Sequence, residues 1–265
     1  MSKQDEARFN PFGARPHKTT RIKHMIAVVS GKGGVGKSMV TGLLATAAMQ
    51  SGFNVGILDA DVTGPSIGRM FNIHEKARGT SEGMLPMKSQ EGISIISANM
   101  LLETDDTPIV WRGPMIANAV KEFYTNVLWG DLDVLFVDMP PGTGDVPLTV
   151  YQSLPLSGIV LVTTPQDLVS MVVSKAVKMA EQMNVEVFGV IENMAWIDCP
   201  ECNHRIYPFG EGRTSSLIVD YNLPLLASLP IDSSLTKASD EGQVDQVVNK
   251  ELQKIVKDLI FKLEQ

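Results

Sequence analysis

The residues most able to do chemistry in this sequence follow a short apolar run at residues 25–29. They read Ser-Gly-Lys-Gly-Gly-Val-Gly-Lys-Ser, which contains the phosphate-binding pattern Gly-x4-Gly-Lys-Ser, and residues 39–50 after them are compatible with a helix. A glycine loop between a strand and a helix directs backbone N–H groups and the positive end of the helix dipole at an anion. The pattern predicts a nucleotide site formed by Gly31, Lys32, Gly33, Gly34, Val35, Gly36, Lys37, Ser38 and Met39.

Two side chains of this loop have a predicted role in nucleotide binding. Lys37 can reach the β- and γ-phosphates, and the Ser38 hydroxyl can hold Mg2+. The alternative is a glycine-rich turn that matches the pattern by chance. The strand before the loop and the helix after it favour nucleotide binding over that alternative.

Two aspartates follow the next predicted strand, residues 54–58. Asp59 and Asp61 lie at the C-terminal end of this strand, where open α/β sheets bind their ligands. We expect Asp59 to support the magnesium shell. The alternative is an aspartate-rich turn that caps a helix at Ser66, but it does not explain why two acids follow a buried strand.

A third acid, Asp138, ends the apolar run 134–138 in the manner of a Walker B strand. A carboxylate in this position emerges beside the phosphate loop and can hold magnesium, often through a water molecule. The prolines and glycines of residues 139–145 suit a loop that rearranges with the γ-phosphate. We therefore predict a nucleotide role for Asp138.

Apolar strands alternate with helical stretches along the chain, which predicts an α/β fold. We expect a doubly wound, mainly parallel sheet of about seven or eight strands flanked by helices, in a single P-loop domain over residues 22–265. Residues 1–21 are polar and show no apolar period, so we expect a flexible tail with Phe9 and Phe12 as docking points. Residues 79–90 predict a hairpin-like insertion before the next core strand.

Charge and hydropathy argue against several classes of function. The 265 residues have a formal net charge of -7 and a pI near 5.2, so we expect no nucleic-acid partner. No apolar run reaches the roughly 20 residues that span a bilayer, and the polar N-terminus lacks a signal-peptide core. We expect a cytoplasmic protein with no membrane partner. The amphipathic stretch 244–263 has a polar face of mixed charge, which favours packing on the core.

Cys199 and Cys202 are the only cysteines, in the run Cys-Pro-Glu-Cys. In a reducing compartment such a pair favours metal binding or redox chemistry over a structural disulfide. Two thiolates at this spacing suit one edge of a zinc site or an iron–sulfur cluster, but a four-thiolate site needs two more. A two-fold dimer would supply them. His204 is a further candidate ligand, although a surface histidine beside a turn is the simpler interpretation.

The extra lysine of the phosphate loop, Lys32, resembles that of the deviant Walker A loop in the MinD/nitrogenase-iron-protein class of ATPases. Four further segments follow along the chain: Asp-Ala-Asp-Val-Thr-Gly-Pro-Ser, Val-Asp-Met-Pro-Pro-Gly-Thr-Gly-Asp, Ile-Glu-Asn-Met and Cys-x-x-Cys. Together with the phosphate loop, these segments make residues 23–240 resemble the Mrp/ApbC family of iron–sulfur cluster carrier ATPases. Eukaryotic cytosolic members have an additional N-terminal four-cysteine motif that is missing here, so the short prokaryotic form is the better match.

The resemblance implies a homodimer with weak, Mg2+-dependent ATPase activity. Lys32 would reach the nucleotide of the partner subunit and Asp61 would position the attacking water, so that both join Lys37 as catalytic residues. Asn193, at the end of the predicted strand 185–191, would contact adenine. We also assign Pro230 and Asp232, in the turn after the last predicted strand, to the nucleotide site.

For the cysteine pair, the resemblance implies a labile [4Fe-4S] cluster held by Cys199 and Cys202 of both subunits. The cluster would come from an assembly scaffold and pass to apo-proteins. One alternative is a positioning or partitioning ATPase of the MinD/ParA type, which shares the phosphate loop but does not explain the cysteines. The other is an ATPase that binds Zn2+ or uses the pair as a redox dithiol.

Overall fold

A mainly parallel sheet forms the centre of the computed structural model, which describes residues 13–62, 64–101, 113–166, 169–210 and 221–265. Phe9 and Phe12 lie outside the described residues. The strands are β1 (Arg21–Ser30), β2 (Val55–Asp59), β3 (Arg78–Gly79), β4 (Met84–Leu85), β5 (Met87–Lys88), β6 (Ser94–Ile96), β7 (Asp131–Asp138), β8 (Gly158–Thr163), β9 (Val187–Glu192), β10 (Ile197–Asp198), β11 (Arg205–Ile206) and β12 (Leu225–Ser228).

Eight of these strands form one sheet in the order β12-β9-β8-β1-β7-β2-β6-β5. Every neighbouring pair is parallel except β5 with β6, which is antiparallel. The predicted fold class and strand number are therefore confirmed. Within the insertion, β3 and β4 form the predicted antiparallel hairpin.

Helices connect the strands in the described part of the chain. They are α1 (Lys37–Gln50), α2 (Ile67–Met70), α3 (Gly113–Thr125), α4 (Asp145–Ser153), α5 (Val169–Gln182), α6 (Ser233–Asp240) and α7 (Lys250–Leu263), with 3-10 turns at Ala98–Leu101 and Val244–Gln246. None of the described helices is long and apolar enough to cross a membrane.

The central strand β1 is buried along its whole second half, residues 25–30. Such a continuous apolar run is typical of a parallel strand that is covered on both faces. β1 lies between β7 and β8, and β7 lies between β1 and β2. The C-terminal ends of β1, β7 and β2 are therefore neighbours, and these are the ends from which the phosphate loop, Asp138 and Asp59 follow.

The two ends of the chain differ in detail from the sequence prediction. β1 begins at Arg21, and before it the N–H group of Ala14 donates to the Ser153 carbonyl (2.8 Å). The predicted helix 244–263 is a 3-10 turn followed by α7, because Asn249 caps α7 by accepting from the Leu252 N–H group (3.0 Å). One face of α7 is buried, which confirms its predicted packing on the core.

Candidate nucleotide and metal sites

The phosphate loop, residues 31–36, joins β1 to α1. Gly34 and Gly36 have φ angles of 81° and 78°, in the left-handed region that favours glycine. A Cβ atom at Gly36 would lie 2.2 Å from Nδ2 of Asn193, so no side chain fits at this position. The glycines therefore allow the loop backbone to turn sharply and to pack directly against the end of β9.

Three hydrogen-bond donors of α1 converge on Asp138, at the end of β7. Lys37 Nζ donates to Oδ1 (2.7 Å), Thr41 Oγ1 donates to Oδ1 (2.7 Å) and Ser38 Oγ donates to Oδ2 (2.5 Å). Asp138 is 0% exposed and Lys37 is 6% exposed. The structure thus brings together Lys37, Ser38 and Asp138, for which the sequence predicted roles at one site. Thr41 was not predicted, although its position one helical turn after Lys37 places it on the same face of α1.

This donor set fits Mg2+. Magnesium prefers oxygen ligands, and the Ser38 hydroxyl and the Asp138 carboxylate present oxygens within hydrogen-bonding distance of each other. Lys37 lies beside them as a positive charge suited to phosphate oxygens. These residues are therefore a candidate site for a magnesium–nucleotide complex.

Asp59 is a second buried carboxylate, paired in register with Asp138 on the adjacent strand. Its Oδ2 accepts from Ser97 Oγ (2.8 Å), and its Oδ1 accepts from the Asp61 N–H group (3.1 Å). Burial, and secondly the negative charge of Asp138, raise the pKa of Asp59 to about 8. Ser97 was not predicted from the sequence, because a lone serine after a short strand carries no recognisable signal.

The raised pKa of Asp59 predicts a pH-dependent stability. A carboxyl with a pKa of about 8 when folded and 3.8 ordinarily contributes stability that is complete below pH 3.8 and is lost as the pH rises through 8. The melting temperature in EDTA without nucleotide should therefore fall between pH 4 and pH 8, and the Asp59→Asn variant should show a flatter profile. Equal slopes in both proteins would contradict this account.

Asp61 and Lys32 occupy the edge of the site. Asp61 is half-buried after β2, and its carbonyl accepts from the Gly64 N–H group (3.1 Å). Lys32 is exposed on the phosphate loop. This exposure fits a lysine that is surrounded by solvent and equally one that contacts a second chain. The catalytic roles of Asp61 and Lys32 stay predictions.

Asn193 contacts the phosphate loop directly. Its side-chain Nδ2 donates to the Val35 carbonyl (2.9 Å), and its backbone N–H group donates to Thr163 at the end of β8 (2.7 Å). Sequence reasoning predicted an adenine contact for this amide and missed its bond to the loop. One amide hydrogen is used by Val35, and the amide oxygen is an acceptor suited to an adenine amino group.

Pro230 and Asp232 lie in the loop after β12, beside the Asn193 segment. Leu229, before Pro230, donates its N–H group to the Glu192 carbonyl (2.8 Å). Asp232 caps α6, because its Oδ1 accepts from the Ser234 N–H group (2.8 Å). The capping bond gives Asp232 a structural role, and its assignment to the nucleotide site stays a prediction.

The cysteine pair lies in the turn between β10 and β11, which form an antiparallel hairpin. Cys199 is half-buried, Cys202 is exposed, and both are free thiols. Hydrogen bonds from the backbone of Glu201 and Cys202, and from the Cys202 side chain, lower the pKa of the Cys199 thiol. The turn therefore raises the fraction of Cys199 that is thiolate, which is the form that binds metal.

Three side chains hold the base of this hairpin together. Asp198 accepts from Trp196 Nε1 (3.1 Å) and forms an ion pair with Arg205 Nε (3.4 Å), and the Arg205 guanidinium lies 4.3 Å from the Trp196 ring centroid. Within the described ranges, no group of three or more His, Cys, Asp or Glu side chains could hold a metal ion. Two thiols at this turn are what the described part of one chain offers to a metal, and the predicted sharing of a cluster between two chains stays a prediction.

Comparison with known proteins gives concordant results. A family model for NUBPL, an iron-transfer P-loop NTPase of the ParA group, matches residues 21–264. The chain is 46% identical over 235 residues to the iron-sulfur cluster carrier protein of Clostridium perfringens, an alignment that covers 86% of this chain and 82% of that protein.

Two solved structures extend the comparison to the fold. A nucleotide-binding protein from Archaeoglobus fulgidus in complex with ADP is 45% identical, with a TM-score of 0.77 over 87% of this chain and 90% of that one. The cell-division ATPase MinD of Pyrococcus furiosus is 18% identical, with a TM-score of 0.66 over 89% of this chain and 99% of that one. The likeness to MinD shows the fold alone.

Proposed function

The chain belongs to the NUBPL family of iron-transfer P-loop NTPases, and from this membership we propose that it is an ATP-hydrolysing carrier that holds a labile [4Fe-4S] cluster and passes it to apo-proteins. The observation that carries the proposal is the presence, on one domain, of a phosphate-loop site with its Walker B carboxylate and of a thiol pair on a hairpin turn. A positioning ATPase of the MinD/ParA type would leave the thiol pair unexplained.

In the proposed reaction the nucleotide binds along the phosphate loop. On nucleotide binding Lys37 would move from Asp138 to the β- and γ-phosphates, and Ser38 and Asp138 would hold Mg2+. Bound magnesium would neutralise negative charge that develops on the phosphates. Asp61, at the adjacent strand end, positions the attacking water. We expect hydrolysis to be slow and to depend on Mg2+, whose charge would offset that of the phosphates.

The cluster is the cargo of the proposed reaction. Each chain offers two thiolates and a [4Fe-4S] cluster is conventionally held by four, so we propose a homodimer in which the hairpins of two chains face each other across a two-fold axis. In such a dimer, the exposed Lys32 is available to the partner's nucleotide. An assembly scaffold would load the cluster, and apo-proteins would receive it.

One short segment of the chain connects the nucleotide site to the cysteine pair. Asn193 donates to the phosphate loop at Val35, and Cys199 follows in the same segment. Between them the Ala195 N–H group donates to Leu229 (2.9 Å) and the Trp196 carbonyl accepts from Ile231 (2.7 Å), which ties the segment to the loop after β12. We propose that movement of the phosphate loop on nucleotide binding shifts this segment and changes how readily the hairpin releases its cluster.

A transfer assay tests the proposed function. Protein reconstituted anaerobically with iron and sulfide is mixed with an apo-enzyme that requires a [4Fe-4S] cluster, in the presence of an iron chelator that intercepts free iron. We expect the apo-enzyme to regain activity as the carrier loses its visible cluster absorption. Recovery no faster than with iron and sulfide alone would contradict a carrier function.

The same assay tests the path through Asn193. Wild-type protein should transfer its cluster at different rates when it is saturated with ATP and when nucleotide is absent. The Asn193→Ala variant should bind the same amount of cluster but lose that difference, because the link from the phosphate loop to the hairpin is removed. A variant that keeps the wild-type response to ATP would leave carriage intact and remove Asn193 from the coupling path.

A further inference from the structure

Thr41 is a fully buried residue of α1 whose hydroxyl lies between two acceptors. Its Oγ1 is 2.7 Å from Asp138 Oδ1 and 3.0 Å from the Lys37 carbonyl. A hydroxyl has one hydrogen to donate, and both neighbours are acceptors only. The carboxylate is closer and charged, so the hydrogen goes to Asp138 rather than to the helix backbone.

The three donors to Asp138 differ in what they do when nucleotide binds. Lys37 and Ser38 are the two that the proposed function sends to the phosphates and the metal. Thr41 lies on the next turn of α1 and remains beside Oδ1, the carboxylate oxygen to which Lys37 also donates. Thr41 is therefore the donor that stays with Asp138 after Lys37 has left, and it does so from a rigid helix.

We propose that Thr41 is a positioning residue for the magnesium–nucleotide complex: it fixes the orientation of Asp138 so that Oδ2 faces the metal. The proposal rests on the proposed nucleotide function and adds a residue to it. Without this hydrogen bond a buried carboxylate would lose a donor and its orientation would be less restricted, which weakens the hold on the metal. Thr41 makes no contact with the phosphates in this account, so affinity for nucleotide without metal should not change.

The test measures metal affinity and not turnover. Mn2+ replaces Mg2+ as the probe, and its binding to protein saturated with ATP is followed by electron paramagnetic resonance. Thr41→Val, which keeps the shape of the side chain and removes the hydroxyl, should raise the Mn2+ dissociation constant about tenfold. Thr41→Ser, which restores a hydroxyl, should return it towards the wild-type value. Binding of a fluorescent ATP analogue in EDTA should be the same in all three proteins.

Thr46 provides a matched control, because it is a second buried threonine of the same helix. Its hydroxyl donates to the Val244 carbonyl (3.2 Å), away from Asp138. Thr46→Val should keep the wild-type Mn2+ affinity. An equal loss in both valine variants, or no loss in Thr41→Val, would overturn the proposal. Failure of the wild-type protein to bind Mn2+ with ATP would instead reject the proposed nucleotide function.

Discussion

Replacing Lys37 by alanine is expected to remove most ATP binding, whereas replacing Asp61 by asparagine should leave ATP bound and stop its hydrolysis. Lys37 is the buried cation of the site, with Nζ 2.7 Å from Asp138, and its charge is needed by the phosphates in the ground state and the transition state alike. Asp61 lies at the margin of the site, and orienting water is a task of the transition state. We expect its loss to lower turnover by about a hundredfold or more.

Both variants need a binding and a turnover measurement. Calorimetric titration with ATP gives the affinity, and single-turnover phosphate release gives the rate of the chemical step. Lys23→Ala is a matched control for charge, because Lys23 is an exposed lysine of β1 that pairs with Asp133 and lies outside the nucleotide site; this variant should bind ATP as the wild type does. Equal loss of ATP affinity in Lys37→Ala and Asp61→Asn would show that Asp61 is a binding residue.

Loss of Lys37 also affects folding, and this effect has to be separated from binding. Asp138 is fully buried, and removing its cationic partner leaves a buried charge with only hydroxyl donors, at a cost of about 3 kcal/mol or more. Lys37→Gln keeps a donor of similar length without the charge. If the glutamine variant melts near the wild-type temperature and still fails to bind ATP, the loss belongs to the missing charge.

The main features of the fold could be predicted from the sequence because its strong signals are local. Fully apolar runs such as residues 25–29 and 134–137 are what parallel strands buried on both faces require, and the structure has them as neighbours in the sheet. The phosphate loop and the family resemblance were likewise carried by short contiguous motifs. Membership of the iron–sulfur carrier ATPases, expected from those motifs, is confirmed by the comparisons.

The parts of the site that escaped prediction depend on contacts between distant segments. Thr41 and Ser97 are ordinary hydroxyl residues, and their roles arise only when the sheet brings α1 and β7, or β6 and β2, together. Asn193 was expected at adenine, but its bond to Val35 depends on how closely Gly36 packs against the end of β9. A sequence motif indicates which residue types a ligand needs and does not indicate which side chains hold those residues in place.

The cysteine pair supports the second large effect. Cys199→Ala and Cys202→Ala should each abolish retention of a cluster while ATP affinity stays at its wild-type value. Either change leaves one thiolate per chain and two per dimer, too few for a cluster that is held by four. The hairpin turn is held by its own hydrogen bonds and by the Asp198 network, separate from the Asp138 cluster, so the nucleotide site should be unaffected.

Iron and sulfide analysis after anaerobic reconstitution, combined with analytical ultracentrifugation, measures this effect. Wild-type protein should hold about four irons per dimer and sediment as a dimer when loaded. His204→Ala is the control, because His204 lies in the same turn and its carbonyl accepts from the Cys199 N–H group (2.9 Å), a bond that the substitution keeps. It should retain the cluster. A stable cluster on a monomer would contradict the proposal that two chains share one cluster. One zinc ion per dimer as the only retained metal would show instead that the hairpins form a structural zinc site, because zinc also accepts four thiolate ligands.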